Sequence, residues 1–166
     1  GTEDHPHSHR AHLVLVMEGE QITIYGGKEK DDTKKKVIDV KPGMALPVPS
    51  GFHIVSNTGK KDARIIFWEM KAQGSGKKCY ETDPANYAVI TECEQGKLIR
   101  MTMAPGQEDH PHDHPVHHMF VVKGGKLQIK HDGVVDVKEI PDGVPIIMPA
   151  GPHQVKNIGD TNAEII

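Results

Sequence analysis

The stretch Gly106-Gln107-Glu108-Asp109-His110-Pro111-His112-Asp113-His114 repeats Gly1-Thr2-Glu3-Asp4-His5-Pro6-His7-Ser8-His9. Farther along each copy a second motif recurs, Pro49-Ser50-Gly51-Phe52-His53-Ile54-Val55-Ser56-Asn57 matching Pro149-Ala150-Gly151-Pro152-His153-Gln154-Val155-Lys156-Asn157. The same two motifs in the same order make the chain an internal repeat, two supersecondary units of one kind. The first copy is the longer between its motifs because it carries the polar run Lys28–Lys36. That run is mixed in sign and reads as a longer solvated hairpin rather than a basic binding patch.

Between the motifs the apolar residues come in short runs, among them Leu13–Val16, Ile22–Tyr25, Ile65–Trp68, Phe120–Val122 and Ile146–Met148. They are too short for helices, rich in β-branched and aromatic residues, and punctuated by glycine with proline beside several. The pattern is that of an all-β protein, an antiparallel sandwich or barrel in each copy. The segment Lys71–Lys78 breaks the rhythm and reads as a linker, which gives a first domain over 1–72, a linker over 73–86 and a second domain over 87–166. Asp83-Pro84-Ala85-Asn86 is expected to begin a helical turn. Nothing before Gly1 answers to Leu98–Pro105, and the second copy stops at Ile166 where the first continues through Phe67-Trp68. The first domain is therefore expected to lack an N-terminal strand and the second a C-terminal one.

Composition narrows the function. The chain has 166 residues, 26% of them charged, a net charge of −3 and a mean hydropathy of −0.49, a soluble globular balance. No segment approaches the roughly 20 apolar residues of a membrane span, so no membrane partner is expected. A pI near 6.5 removes the basic surface that nucleic-acid binding requires. No signal-like segment stands in this stretch of sequence, so the compartment is left open, with the cytoplasm as the default expectation. Cys79 and Cys93 are either free thiols or one bridge; they cannot form a four-thiolate zinc site and match no nucleophile pattern. There is no Gly-x-Ser-x-Gly elbow and no phosphate loop. Oligomeric state is left open between monomer and homodimer.

What remains is twelve histidines. In a strand alternate side chains share a face, so His7 points with His9 and His112 with His114. Continued by twos, the strands reach Leu13 and Leu15 in one copy, and His118 and Phe120 in the other, which puts these histidines on the inward face. Two imidazoles at i and i+2 are spaced to share one metal ion, and a third from a distant strand completes a facial set. His53 and His153, each in a Pro-x-Gly-x-His turn, are the candidates for that third position. The same alternation sends His12 and His117 outward. His5 and His110 share the ligands' parity and stand as rim residues or supporting partners. Glu3, Glu108, Asp4 and Asp109 are candidates to orient an imidazole N–H, or else exposed turn acids. Tyr25 is a packed tyrosine or a cavity residue, Asn57 and Asn157 hold their turns, and His131 belongs to a solvated hairpin.

The spacing Gly106-x5-His112-x-His114-x3-His118-x6-Gly125, followed by Gly143-x5-Pro149-x-Gly151-x-His153-x3-Asn157, resembles the paired motifs of the cupin superfamily. The first copy gives Gly1-x5-His7-x-His9 and Gly43-x5-Pro49-x-Gly51-x-His53-x3-Asn57. The resemblance covers nearly the whole chain outside the linker and implies a bicupin, two tandem double-stranded β-helix barrels of jelly-roll type. Two departures stand out. The residue four places after the second histidine, usually a glutamate ligand in the family, is Leu13 in one copy and His118 in the other. The second motif is one residue shorter between glycine and histidine in both copies. Carried over, the resemblance implies metal sites of His7, His9 and His53, and of His112, His114, His118 and His153, holding one or two divalent transition-metal ions. Imidazole ligands suit Fe, Zn, Ni or Cu.

Cupins include enzymes, storage proteins and sensors, so fold does not fix activity. An all-histidine set is neutral and leaves a bound ion its full charge, which favours anionic ligands. The leading expectation is a metalloenzyme of dioxygenase type acting on a small anionic organic substrate, with lyase or isomerase chemistry if the ion is Zn or Ni. The alternatives are a non-catalytic metal-binding or ligand-sensing bicupin and a storage-like protein. The missing glutamate removes a usual acid/base group, and no catalytic residue is assigned.

Overall fold

The computed structural model describes residues 1–69 and 79–166; the segment 71–78, read above as linker, falls outside them. The chain divides into two compact units, Gly1–Gln73 with Thr91–Lys97, and Gly74–Ile90 with Leu98–Ile166.

In the first unit the strands are β1 (His7–His9), β2 (His12–Glu18), β3 (Gln21–Gly26), β4 (Lys35–Asp39), β5 (Ala45–Val48), β6 (Gly51–Asn57) and β7 (Arg64–Glu69). They form two antiparallel sheets, ordered β1-β6-β3-β4 and β5-β2-β7. Leu13, Leu15 and Val16 on β2, Ile22 on β3 and Ile54 on β6 are buried. The polar run Lys28–Lys36 spans the β3–β4 connection; its short 3₁₀ turn at Asp32–Lys34 has no buried residue, as its charge predicts.

A short helix α1 (Cys79–Thr82) opens the second unit, four residues earlier than the turn expected at Asp83 and inside the stretch read as linker. Asp83 instead ends it, accepting a bond from the Asn86 side chain at 3.2 Å. Strands β8 (Tyr87–Cys93), β9 (Gly96–Met103), β10 (His112–His114), β11 (His117–Lys123), β12 (Gly125–His131), β13 (Val134–Ile140), β14 (Pro145–Met148), β15 (Gly151–Asn157) and β16 (Ala163–Ile165) follow. Their sheets are β10-β15-β12-β13 and β14-β11-β16-β9-β8. Between them lies a core of Cys79, Tyr87, Met101, Met103, Val121, Leu127, Val155, Ala163 and Ile165. Both cysteines are free thiols. Burial pushes the Cys79 thiol up to about 11, which keeps it protonated and unreactive.

The repeat in sequence is thus a repeat in topology. β1, β6, β3 and β4 of the first unit correspond to β10, β15, β12 and β13 of the second. The turns after the motifs are also duplicated. Asn57 accepts from the Gly59 N–H and donates to the Lys61 carbonyl; Asn157 accepts from the Gly159 N–H and donates to the carbonyls of Thr161 and Met103.

Candidate metal centres

Register builds each site. β1 lies antiparallel to β6 with His7 opposite His53 and His9 opposite Gly51. β10 lies on β15 with His112 opposite His153 and His114 opposite Gly151. Directly opposed residues have Cβ atoms roughly 5 Å apart on one face of the sheet. The third imidazole therefore comes from the neighbouring strand, and the second has a glycine across from it, with no side chain to block it. Gly51 and Gly151 have φ of +147° and +137°, a region that side chains rarely adopt. The glycine of Pro-x-Gly-x-His is thus required by the backbone in both copies, and at Gly151 also by space, where a Cβ would lie 2.9 Å from His131 Nε2.

His7, His9 and His53 bring one nitrogen each to within 4.8 Å of one another, and so do His112, His114 and His153. The ring pairs repeat closely, His7–His53 and His112–His153 both at 4.5 Å between centroids. Backbone carbonyls fix the tautomers. Nδ1 of His7 donates to the His5 carbonyl at 2.7 Å, Nδ1 of His112 to the His110 carbonyl at 2.8 Å and Nδ1 of His153 to the Gly151 carbonyl at 3.3 Å. A carbonyl only accepts, so each of these rings keeps its lone pair on Nε2. His112 Nε2 is buried and has no hydrogen-bond partner. A buried nitrogen lone pair without a donor is costly and is what a cation satisfies.

The electrostatics agree. Burial, reinforced by the neighbouring His112, His117 and His153, lowers His114 to about 3. Burial and the other rings lower His153 to about 4 and lower His53 as well. These rings are neutral at physiological pH, the form that binds metal.

The fourth histidine is not the expected one. His118 is exposed, paired in register with Ile147. The ring beside the triad is His117, 4.8 Å from His114 and 6.2 Å from His153. In the first unit His12, expected outside, is 5% exposed and its ring lies 5.3 Å from His9 and 5.9 Å from His53. The reason is a break between strands, at Arg10-Ala11 and at Pro115-Val116. Counting by twos across it shifts the face by one residue. His12 and His117 also share a fixed tautomer, donating to the carbonyls of Arg10 and Pro115 at 2.9 Å. The signal was in the repeat, since His-x-His-x2-His occurs in both copies whereas the position of His118 is Leu13 in the first.

Carboxylates back the first ligand in each site. Asp4 Oδ2 is 3.5 Å from His7 Nδ1, and Asp109 Oδ2 is 3.7 Å from His112 Nδ1. Asp4 accepts from the Val55 N–H and Asp109 from the Val155 N–H. Asp109 also accepts from the Tyr87 hydroxyl at 2.6 Å, a partner that sequence reading missed. Burial pushes the Asp109 carboxyl up against these bonds. Glu3 and Glu108 instead face Lys30 and Lys156 and do not reach the rings. His5 and His110 contribute their carbonyls. His131 stands opposite His153 on β12, where the first unit has Gly26 opposite His53; it is a neighbour of the second site rather than a solvated hairpin residue.

Comparison with known proteins gives the same picture. Residues 99–166 match the family model described as the cupin domain. No curated protein sequence matches the chain. Among solved structures it is similar to AerE from Microcystis aeruginosa, at 12% identity and a TM-score of 0.59, covering 99% of this chain and 79% of that one. It is similar to a variant of the salicylate 1,2-dioxygenase from Pseudoaminobacter salicylatoxidans, at 10% identity and a TM-score of 0.59, covering 99% and 65%. It is also similar to the Bacillus subtilis oxalate decarboxylase with its Mn(II) centres, at 15% identity and a TM-score of 0.55, covering 98% and 64%. At such identities the likeness is one of fold. Residues 99–166 thus match the cupin domain model, the whole chain shares the fold of these two-barrel structures, and each half carries a histidine triad suited to a metal ion.

Proposed function

We propose that this chain is a metal-dependent bicupin in which each triad holds a divalent transition-metal ion and which acts on a small anionic organic molecule by dioxygenase-type chemistry. The observation that carries the reading is the convergence of His112, His114 and His153, the latter two held neutral by burial and the buried Nε2 of His112 lacking any other partner. An all-nitrogen set suits iron, zinc, nickel or copper better than manganese. A bound ion would supply undiminished positive charge for an anionic substrate and, as iron, redox chemistry.

The chain's own residues do the rest. Backbone carbonyls and the carboxylates of Asp4 and Asp109 orient the rings from the side away from Nε2. Phe67, 5.2 Å from His9 and 5.7 Å from His12, forms an apolar wall at the first site. His12 and His117, with Nδ1 given to a backbone carbonyl, offer the lone pair of Nε2 as a fourth nitrogen, to the ion or to a substrate hydroxyl. A second reading, lyase or isomerase chemistry, draws on the same two rings as proton carriers.

The test is metal analysis of the purified chain, followed by oxygen uptake with a panel of small mono- and dicarboxylates and hydroxylated aromatic acids. Iron with substrate-dependent oxygen uptake supports the dioxygenase. Zinc or nickel with turnover but no uptake replaces it with the lyase or isomerase, and tight metal binding without turnover with a binding protein. Failure to retain or take up any transition metal refutes the metal-dependent reading altogether.

A further inference from the structure

The strand β13 (Val134–Ile140) ends its sheet and pairs, among the described residues, only with β12. Its free edge is unusually apolar. Val134, Val135 and Val137 are 68%, 54% and 49% exposed, and every residue of the strand before Ile140 is exposed. A seven-residue exposed edge presents unpaired N–H and C=O groups along its length, and proteins ordinarily guard such edges with lysine, proline or a bulge. The corresponding edge of the first unit is guarded: β4 is shorter and begins with Lys35 and Lys36 after the 3₁₀ turn at Asp32–Lys34. On β13 the single lysine, Lys138, is neutralised by Asp136 at 3.1 Å, and its pairing with β12 is regular from Gly125–Ile140 to His131–Val134.

We infer that β13 is an interface between two copies of this chain, which meet antiparallel along Val134–Ile140 about a two-fold axis at Val137. The sequence Val-Val-Asp-Val-Lys-Glu-Ile is complementary to itself in that register. Asp136 faces the partner's Lys138 and Lys138 the partner's Asp136, so the ion pair within the strand becomes an alternating set of four charges. Val137 meets the partner's Val137, and Val134 meets the partner's Ile140. Moving the axis one residue either way sets Asp136 against the partner's Asp136 or Lys138 against the partner's Lys138, which is repulsive. The charges therefore choose one register, and the two-fold closes the interface on itself. The occupant is a second copy rather than a foreign strand because the edge supplies its own complement.

Sedimentation velocity on the purified chain over a range of concentrations tests this. The expected species has about twice the 18.3 kDa chain mass and dissociates on dilution. Lys138→Asp sets like charges in register and should raise the dissociation constant at least about tenfold, as should Val137→Lys. The double variant Asp136→Lys, Lys138→Asp restores complementarity and should restore the dimer, while Val37→Lys on β4 should leave it unchanged. All these side chains are exposed, and far-ultraviolet circular dichroism verifies folding. A chain monomeric at every attainable concentration overturns the inference. So does a dimer indifferent to both Lys138→Asp and Val137→Lys, or one not restored by the double variant, or an assembly larger than two.

Discussion

The two candidate centres are built from one motif and differ in what surrounds it. In the first, His7 and Asp4 remain about one-third exposed and the neighbouring aromatic is the exposed Phe67. In the second, His112 and Asp109 are buried, Tyr87 closes over the carboxylate, and His114 and His153 are driven far below the ordinary histidine range. The difference comes from β8 and β9, which bring Tyr87 and Met103 against the second motif. The same ligands in the same register thus make a more open site and a preorganised one, and support from behind the ligands tunes metal affinity strongly.

The largest expected effect is the loss of one site. His112→Ala with His114→Ala should remove one of two bound metal equivalents, read by elemental analysis, and leave the first site loaded; loss of both would show that the units are not independent. Next comes acid sensitivity. Below pH 6.5 the unfolded chain takes up protons on histidine, while His114 and His153 in the folded metal-free chain resist them down to about 3 and 4. Depressed values for a cationic group mean that stability is full above 6.5 and falls as the pH drops. Denaturant unfolding of the metal-free protein between pH 6.5 and about 5, above ordinary carboxylate titration, should show that slope. The double variant His114→Gln, His153→Gln should flatten it.

Smaller effects follow from the supporting groups. Asp109→Asn should weaken second-site metal binding by about 10- to 100-fold, measured by competition with a chromophoric chelator. Asp4→Asn in the more exposed first site should cost only a few-fold. Smallest is the choice of fourth histidine: His117→Ala should lower second-site affinity measurably and His118→Ala should leave it unchanged.

Much of this was legible in the sequence because it is local or repeated. Strand content follows from short β-branched runs, and the triads follow from alternation within a strand joined to a turn histidine. The faces of His12, His117 and His118 were misread because alternation holds only while a strand is continuous, and each strand bends before these residues. Tyr87 was invisible for another reason. Its bond to Asp109 joins residues 22 positions apart, through a contact that only the packing of β8 creates. Whether Asp109 or Glu108 would support a ring likewise depended on register, which turns Glu108 toward Lys156.

The most direct test of the account is anaerobic calorimetric titration of the metal-free chain with Fe(II) and, separately, Zn(II). The account predicts two equivalents bound per chain, the tighter one abolished by His112→Ala with His114→Ala. Absence of binding by either ion, or binding that survives loss of the histidines in both triads, would contradict it.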